Sequence, residues 1–67
     1  MMNVVLNGQS YECEVKLSLV ELLQKLGISE QQVAVEINCE IVPRSQHTSR
    51  VINPGDRIEI VQAIGGG

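Results

Sequence analysis

The spacing of apolar residues changes character twice along the chain. It alternates at the start, takes a helical period from Leu17, and alternates again from Val33. Val4, Val5 and Leu6 open a short strand that ends at Asn7-Gly8. Asn-Gly is the strongest two-residue hairpin signal, because both positions tolerate positive φ. A return strand is predicted from about Ser10 to Lys16, with Tyr11, Cys13 and Val15 on one face and Glu12, Glu14 and Lys16 on the other. In the next segment Ser18 and Glu21 have capping-box spacing, and Leu17 and Leu22 sit at the hydrophobic-staple positions. Leu19, Leu22, Leu23 and Leu26 follow the i, i+3, i+4, i+7 pattern of a buried helical face. Gly27 is placed to end that helix at C′, with Ile28 positioned to touch Leu23.

Past the helix, Ser29 to Gln32 read as a polar turn, and Val33, Val35 and Ile37 alternate with Ala34 and Glu36 as a third strand. Asn38-Cys39 is a second tight-turn candidate, followed by a short strand through Ile41 and Val42. Pro43 has no N–H for a ladder, so pairing ends there or lies on an edge. Arg44 to Ser49 form a polar loop with room for one helical turn, in which a lone His47 is expected to face solvent. In Asn53-Pro54-Gly55-Asp56 the Pro and Gly fit the central positions of a type II turn. The last strand, Arg57 to about Ala63, sets Ile58 and Ile60 against Glu59, Val61 and Ala63.

This order predicts an α+β domain with a mixed sheet of four to five strands and one main helix packed on one face, the β-grasp arrangement. The domain spans 1–64, and residues 65–67 form a flexible glycine tail. The opposite sheet face carries Val5, Val61 and Ala63 among charges; with Ile64 they make a small apolar docking patch beside the tail.

Composition narrows the chemistry. Sixty-seven residues with a net charge of −3, no basic cluster and a single aromatic residue argue against nucleic-acid binding. The amino end lacks a signal-peptide pattern and no stretch is long enough to span a membrane, so a cytoplasmic protein is expected. Cys13 and Cys39 form no CxxC pair and no metal-ligand set is spaced for zinc, so neither a metal nor another bound cofactor is expected. Ser45, His47 and Asp56 supply the residue types of a nucleophilic triad, but no Gly-x-Ser-x-Gly elbow positions them. Glu12 and Glu14 lie on an outward strand face, and no helix follows the final glycines to make them a phosphate loop. No catalytic residue is assigned.

That leaves the carboxyl end. Gly65, Gly66 and Gly67 carry no side chain, so a backbone built from them is thin and conformationally free. Fully extended, the residues from Ile64 to Gly67 reach roughly 13 Å. A carboxylate at the tip of such an arm can enter a narrow channel in another protein while the fold stays outside.

The runs Val33-Ala34-Val35-Glu36-Ile37-Asn38, Ile41-Val42-Pro43-Arg44-Ser45 and Pro54-Gly55-Asp56-Arg57-Ile58-Glu59-Ile60-Val61, with the Gly-Gly end, resemble the ThiS-type sulfur carriers of thiamin biosynthesis, which are ubiquitin-like β-grasp proteins. The resemblance covers essentially the whole chain; His47 departs from it, standing where the family often carries tryptophan. It implies a protein co-substrate rather than an enzyme. The Gly67 carboxylate would be adenylated with ATP by a ThiF-type enzyme and converted to a thiocarboxylate with sulfur from a donor such as a cysteine desulfurase. It would then serve a ThiG-type thiazole synthase. Gly65 and Gly66 would thread into the partner, where a Cβ at Gly66 or Gly67 would clash. Alternatives on the same tail are a carrier for molybdopterin synthesis or tRNA thiolation, a ubiquitin-like modifier, and a non-catalytic adaptor with an idle tail.

Overall fold

The computed structural model describes residues 1–62. They form five strands, β1 (Met2–Leu6), β2 (Gln9–Cys13), β3 (Val33–Ile37), β4 (Glu40–Ile41) and β5 (Arg57–Gln62), with one α-helix, α1 (Leu19–Lys25), and two short 3₁₀ turns. The sheet order is β2-β1-β5-β3-β4. β1 runs parallel to β5, and the other pairs are antiparallel. This is the expected β-grasp arrangement, and its middle strand is the last one in sequence.

Local chemistry accounts for most of these elements. Asn7 and Gly8 have φ of 48° and 82°, and Asn38 and Cys39 have φ of 54° and 69°, the paired left-handed conformations of type I′ hairpin turns. At α1 the Ser18 side chain accepts from the Glu21 N–H, while the Glu21 carboxylate accepts from the Ser18 N–H at 2.9 Å. The Ser18 backbone bond, and then its hydroxyl, hold the Glu21 carboxyl below the ordinary glutamate range. Gly27, with φ of 72°, closes the helix in a Schellman motif: its N–H donates to the Gln24 carbonyl and that of Ile28 to the Leu23 carbonyl. Asn53 to Asp56 form the predicted type II turn, with Gly55 at φ 82° and the Asp56 N–H bonded to the Asn53 carbonyl at 3.1 Å.

The core lies between α1 and one sheet face. Leu19, Leu22 and Leu23 of the helix, Val4, Val35, Ile37 and Ile58 of the sheet, and Ile52, between Ile37 and Ile58 in sequence, are all buried. Leu26 is only half-buried and packs at the margin. With no Phe or Trp the interior is aliphatic, so it depends on branched side chains interlocking closely.

Two expectations are corrected. The second strand stops at Cys13 rather than Lys16: Val15 and Lys16 form a turn, Lys16 takes φ of 63°, and Val15 is 58% exposed. The alternation there misleads because the chain must leave the sheet to seat buried Leu17 at the head of the helix. The salt bridge from Lys25 to Glu14, at 2.7 Å, ties this departing segment to α1 and raises the Lys25 ammonium above its ordinary value.

The second correction concerns His47, which is 2% exposed. Its Nε2 lies 3.1 Å from the Val42 carbonyl, an acceptor, so Nε2 carries the hydrogen and Nδ1 has no partner among the described residues. Its backbone carbonyl accepts from the Val20 N–H, while the Arg50 carbonyl accepts from the Leu19 N–H. The loop therefore folds over the helix N-terminus and satisfies the donors left free there. A burial requirement of this kind has no local sequence pattern, which is why a polar loop concealed it.

Candidate functional site: the open sheet face and the end of the central strand

β5 is the element that leads to the glycine run, and it is held along both edges. On one side it pairs with β3 over all but its first residue, from Ile37 opposite Ile58 to Val33 opposite Gln62. On the other side β1 reaches only as far as Leu6 opposite Ile58.

Asparagine side chains extend the hold at both ends of the strand. At the start, the Asn38 amide oxygen accepts from the Arg57 N–H at 3.0 Å, and its NH2 donates to the Asp56 carboxylate at 3.0 Å. The buried Asp56 also accepts from the Asn53 N–H at 2.8 Å, and Arg50 stands 3.6 Å away. Near the far end, the Asn7 amide oxygen accepts from the Ile60 N–H at 2.8 Å and its NH2 lies 3.4 Å from the Ile60 carbonyl. Sequence reading assigned both asparagines to turns only. Their second role depends on a partner 53 residues away for Asn7 and 19 for Asn38, which local pattern does not encode.

The sheet face turned away from α1 is open. Val5 lies opposite Arg57, and Ala34 opposite Val61; each alternates with buried neighbours such as Val4, Ile58 and Val35. Val61 is 56% exposed and Val5 half-buried, so both predicted docking residues do lie on this face. Ile41, 71% exposed, joins the face from the edge strand opposite Glu36 and was not anticipated. Ala63, Ile64, Gly65, Gly66 and Gly67, also named for docking, threading and reaction, lie outside the described residues.

The remaining nucleophiles and titratable groups are occupied or isolated. His47 donates to a backbone carbonyl, Asp56 accepts from Asn38 and Asn53, and Ser45 is exposed, so no hydrogen bond links the three. Burial, reinforced by the charge of nearby Glu14, pushes the Cys13 thiol up, as befits a small core residue. Cys39 is exposed on its turn, and the two cysteines are free. Among the described residues no three His, Cys, Asp or Glu side chains converge on a metal site, and no helix is long and apolar enough to cross a membrane.

The geometry is therefore that of a central strand with an open face beside it. Residues 4–67 match the model of the ThiS family. The chain belongs to the ThiS family. It is 35% identical over 66 residues to the sulfur carrier protein ThiS of Escherichia coli, covering 98% of this chain and 100% of that one. It is 42% identical over 66 residues to a thiazole synthase of Paramagnetospirillum magneticum, covering 98% of this chain but only 20% of that much longer protein. The crystal structure of the thiamine biosynthesis protein ThiS of Geobacter metallireducens superposes with a TM-score of 0.87 at 30% identity, covering 98% of this chain and 100% of that one. The ThiS-family and β-grasp readings of the sequence are both borne out.

Proposed function

We propose that this chain is a sulfur carrier of thiamin (thiazole) biosynthesis, acting as a protein co-substrate through the carboxylate of Gly67. The observation that carries the reading is the correspondence with the whole length of the Escherichia coli sulfur carrier, together with a family match that reaches residue 67. The central strand supports it, since β5 leads from the middle of the sheet directly into the sequence Ala63-Ile64-Gly65-Gly66-Gly67.

In the proposed cycle a ThiF-type enzyme binds ATP, and the Gly67 carboxylate oxygen attacks its α-phosphate and expels pyrophosphate. A persulfide sulfur, supplied by a cysteine desulfurase, attacks the acyl carbon and displaces AMP. A thiol then cuts the S–S bond of the resulting acyl disulfide, is itself oxidised to a disulfide, and leaves a thiocarboxylate. That sulfur is delivered to a ThiG-type thiazole synthase. The likeness of this chain to about a fifth of a protein named thiazole synthase favours that acceptor over molybdopterin or tRNA thiolation. In this cycle the acid, base and nucleotide chemistry belongs to the partner enzymes. Its body offers binding energy remote from the reacting carbon, which orients the tail.

The face at Val5 and Val61, continued by Ala63 and Ile64, is the proposed docking surface. The reading is tested by incubating the chain with a ThiF-type enzyme and ATP and following pyrophosphate release. The wild type is expected to drive release. Val61→Asp, which places a charge on an exposed sheet position, is expected to raise KM about tenfold or more with the melting temperature nearly unchanged. Pyrophosphate release that is indifferent to the presence of the chain would contradict the reading.

A further inference from the structure

We propose that Asn7 is a positioning residue for the carrier tail, a role that rests on the carrier reading but on different residues. β1 donates to β5 in regular steps: the Val5 N–H to the Asp56 carbonyl at 2.9 Å, then the Asn7 N–H to the Ile58 carbonyl at 2.8 Å. At Asn7 the backbone turns away into the hairpin with φ of 48°. The next rung, at Ile60, is made by the Asn7 side chain instead, accepting at 2.8 Å and lying within 3.4 Å to donate. One carboxamide thus imitates a peptide unit of β1 and extends the parallel edge one step beyond the end of the strand.

The position of this rung gives it a functional consequence. Ile60 is two residues before Gln62, where the described strand ends and the sequence continues toward the glycines. Without Asn7 this end of β5 would be held through β3 alone. With it, β5 is held on both edges as far as Ile60, two residues before the described strand ends, so less conformational entropy is lost when a partner captures the sequence that follows. Asparagine suits the position twice over: it accepts a left-handed backbone more readily than most residues, and its amide offers both a donor and an acceptor.

The test uses three chains: wild type, Asn7→Gly, which keeps the left-handed turn and removes the amide, and Asn7→Asp, which keeps an acceptor for the Ile60 N–H. Amide hydrogen exchange is read at Ile60 and at Leu26, the C-cap of α1, whose N–H donates to the Leu22 carbonyl at 3.1 Å. KM and kcat for the chain are read in the adenylation assay. In Asn7→Gly, Ile60 exchange is expected to accelerate about tenfold relative to Leu26. KM is expected to rise about fivefold, with kcat within about twofold of wild type. Asn7→Asp is expected to fall between the two in both readouts. Equal acceleration at Ile60 and Leu26 would mark a general loss of stability and overturn the proposal. So would a faster Ile60 with unchanged KM, because the anchor would then not serve the tail. A wild type that is not adenylated at all would overturn the carrier reading, and the role for Asn7 in the tail with it. Selective Ile60 exchange would then report only a structural anchor.

Discussion

Removing Gly66 and Gly67 is expected to abolish ATP-dependent charging while leaving the fold intact. The buried core of the described residues runs from Met2 to Ile58, and two glycines bring no side chain to add to it. The melting temperature of the shortened chain is therefore expected to match that of the full one. Pyrophosphate release, in contrast, is expected to fall to the level of the adenylating enzyme alone, because the carboxylate then ends two residues short of the reactive position. Gly66→Ala is a finer version of the same test. It keeps the carboxylate and the length but adds a Cβ and narrows the backbone's conformational range. A displacement of the reacting atom on the order of 1 Å costs about 100-fold in rate, and that is the loss expected in kcat/KM. An adaptor with an idle tail would bind its partner equally well in all three forms, so retained function in the shortened chain would favour that alternative.

The largest effect on stability is expected at Leu22. Its side chain is fully buried at the centre of the one helical face that the sheet grips. Truncating a buried leucine to alanine costs about 2–5 kcal/mol, combining lost transfer energy with the cavity left behind. A domain of this size has a total stability of only about 3–10 kcal/mol. Leu22→Ala is thus expected to lower the melting temperature by at least about 10 °C and to leave an appreciable unfolded fraction at ambient temperature. Gln24→Ala, at an exposed position on the same helix, is expected to change stability by less than about 0.5 kcal/mol. Urea denaturation of the two variants decides the matter. A cost below about 1 kcal/mol at Leu22 would mean that the helix is not gripped as described.

Short-range chemistry made most of the fold legible before any coordinates. Two I′ turns, a capping box, a glycine C-cap and a Pro-Gly turn each name their own backbone geometry, and together they leave little choice about where elements begin and end. Most of the hidden features depend on contacts distant in sequence. Nothing in Glu14-Val15-Lys16 reveals that the chain must turn out of the sheet there, because the reason lies in seating Leu17 against the core. His47 looks like an exposed loop residue until the loop is seen folded over the start of α1. The amides of Asn7 and Asn38 look like turn residues until β5 is brought between β1 and β3. The open face was legible at Val5 and Val61, since strand alternation placed them. Ile41 escaped because a two-residue edge strand gives too short a pattern to assign a face.

The carrier role turns on the chemical state of the Gly67 carboxylate, and intact-mass measurement reads that state. The chain is incubated with ATP, a ThiF-type adenylating enzyme, a cysteine desulfurase with cysteine, and a thiol reductant. The predicted result is a gain of about 16 Da, one oxygen exchanged for sulfur, located in the C-terminal peptide and absent from the chain lacking Gly66 and Gly67. An unchanged mass, with an adenylating enzyme that demonstrably charges a known carrier in the same mixture, would contradict the account.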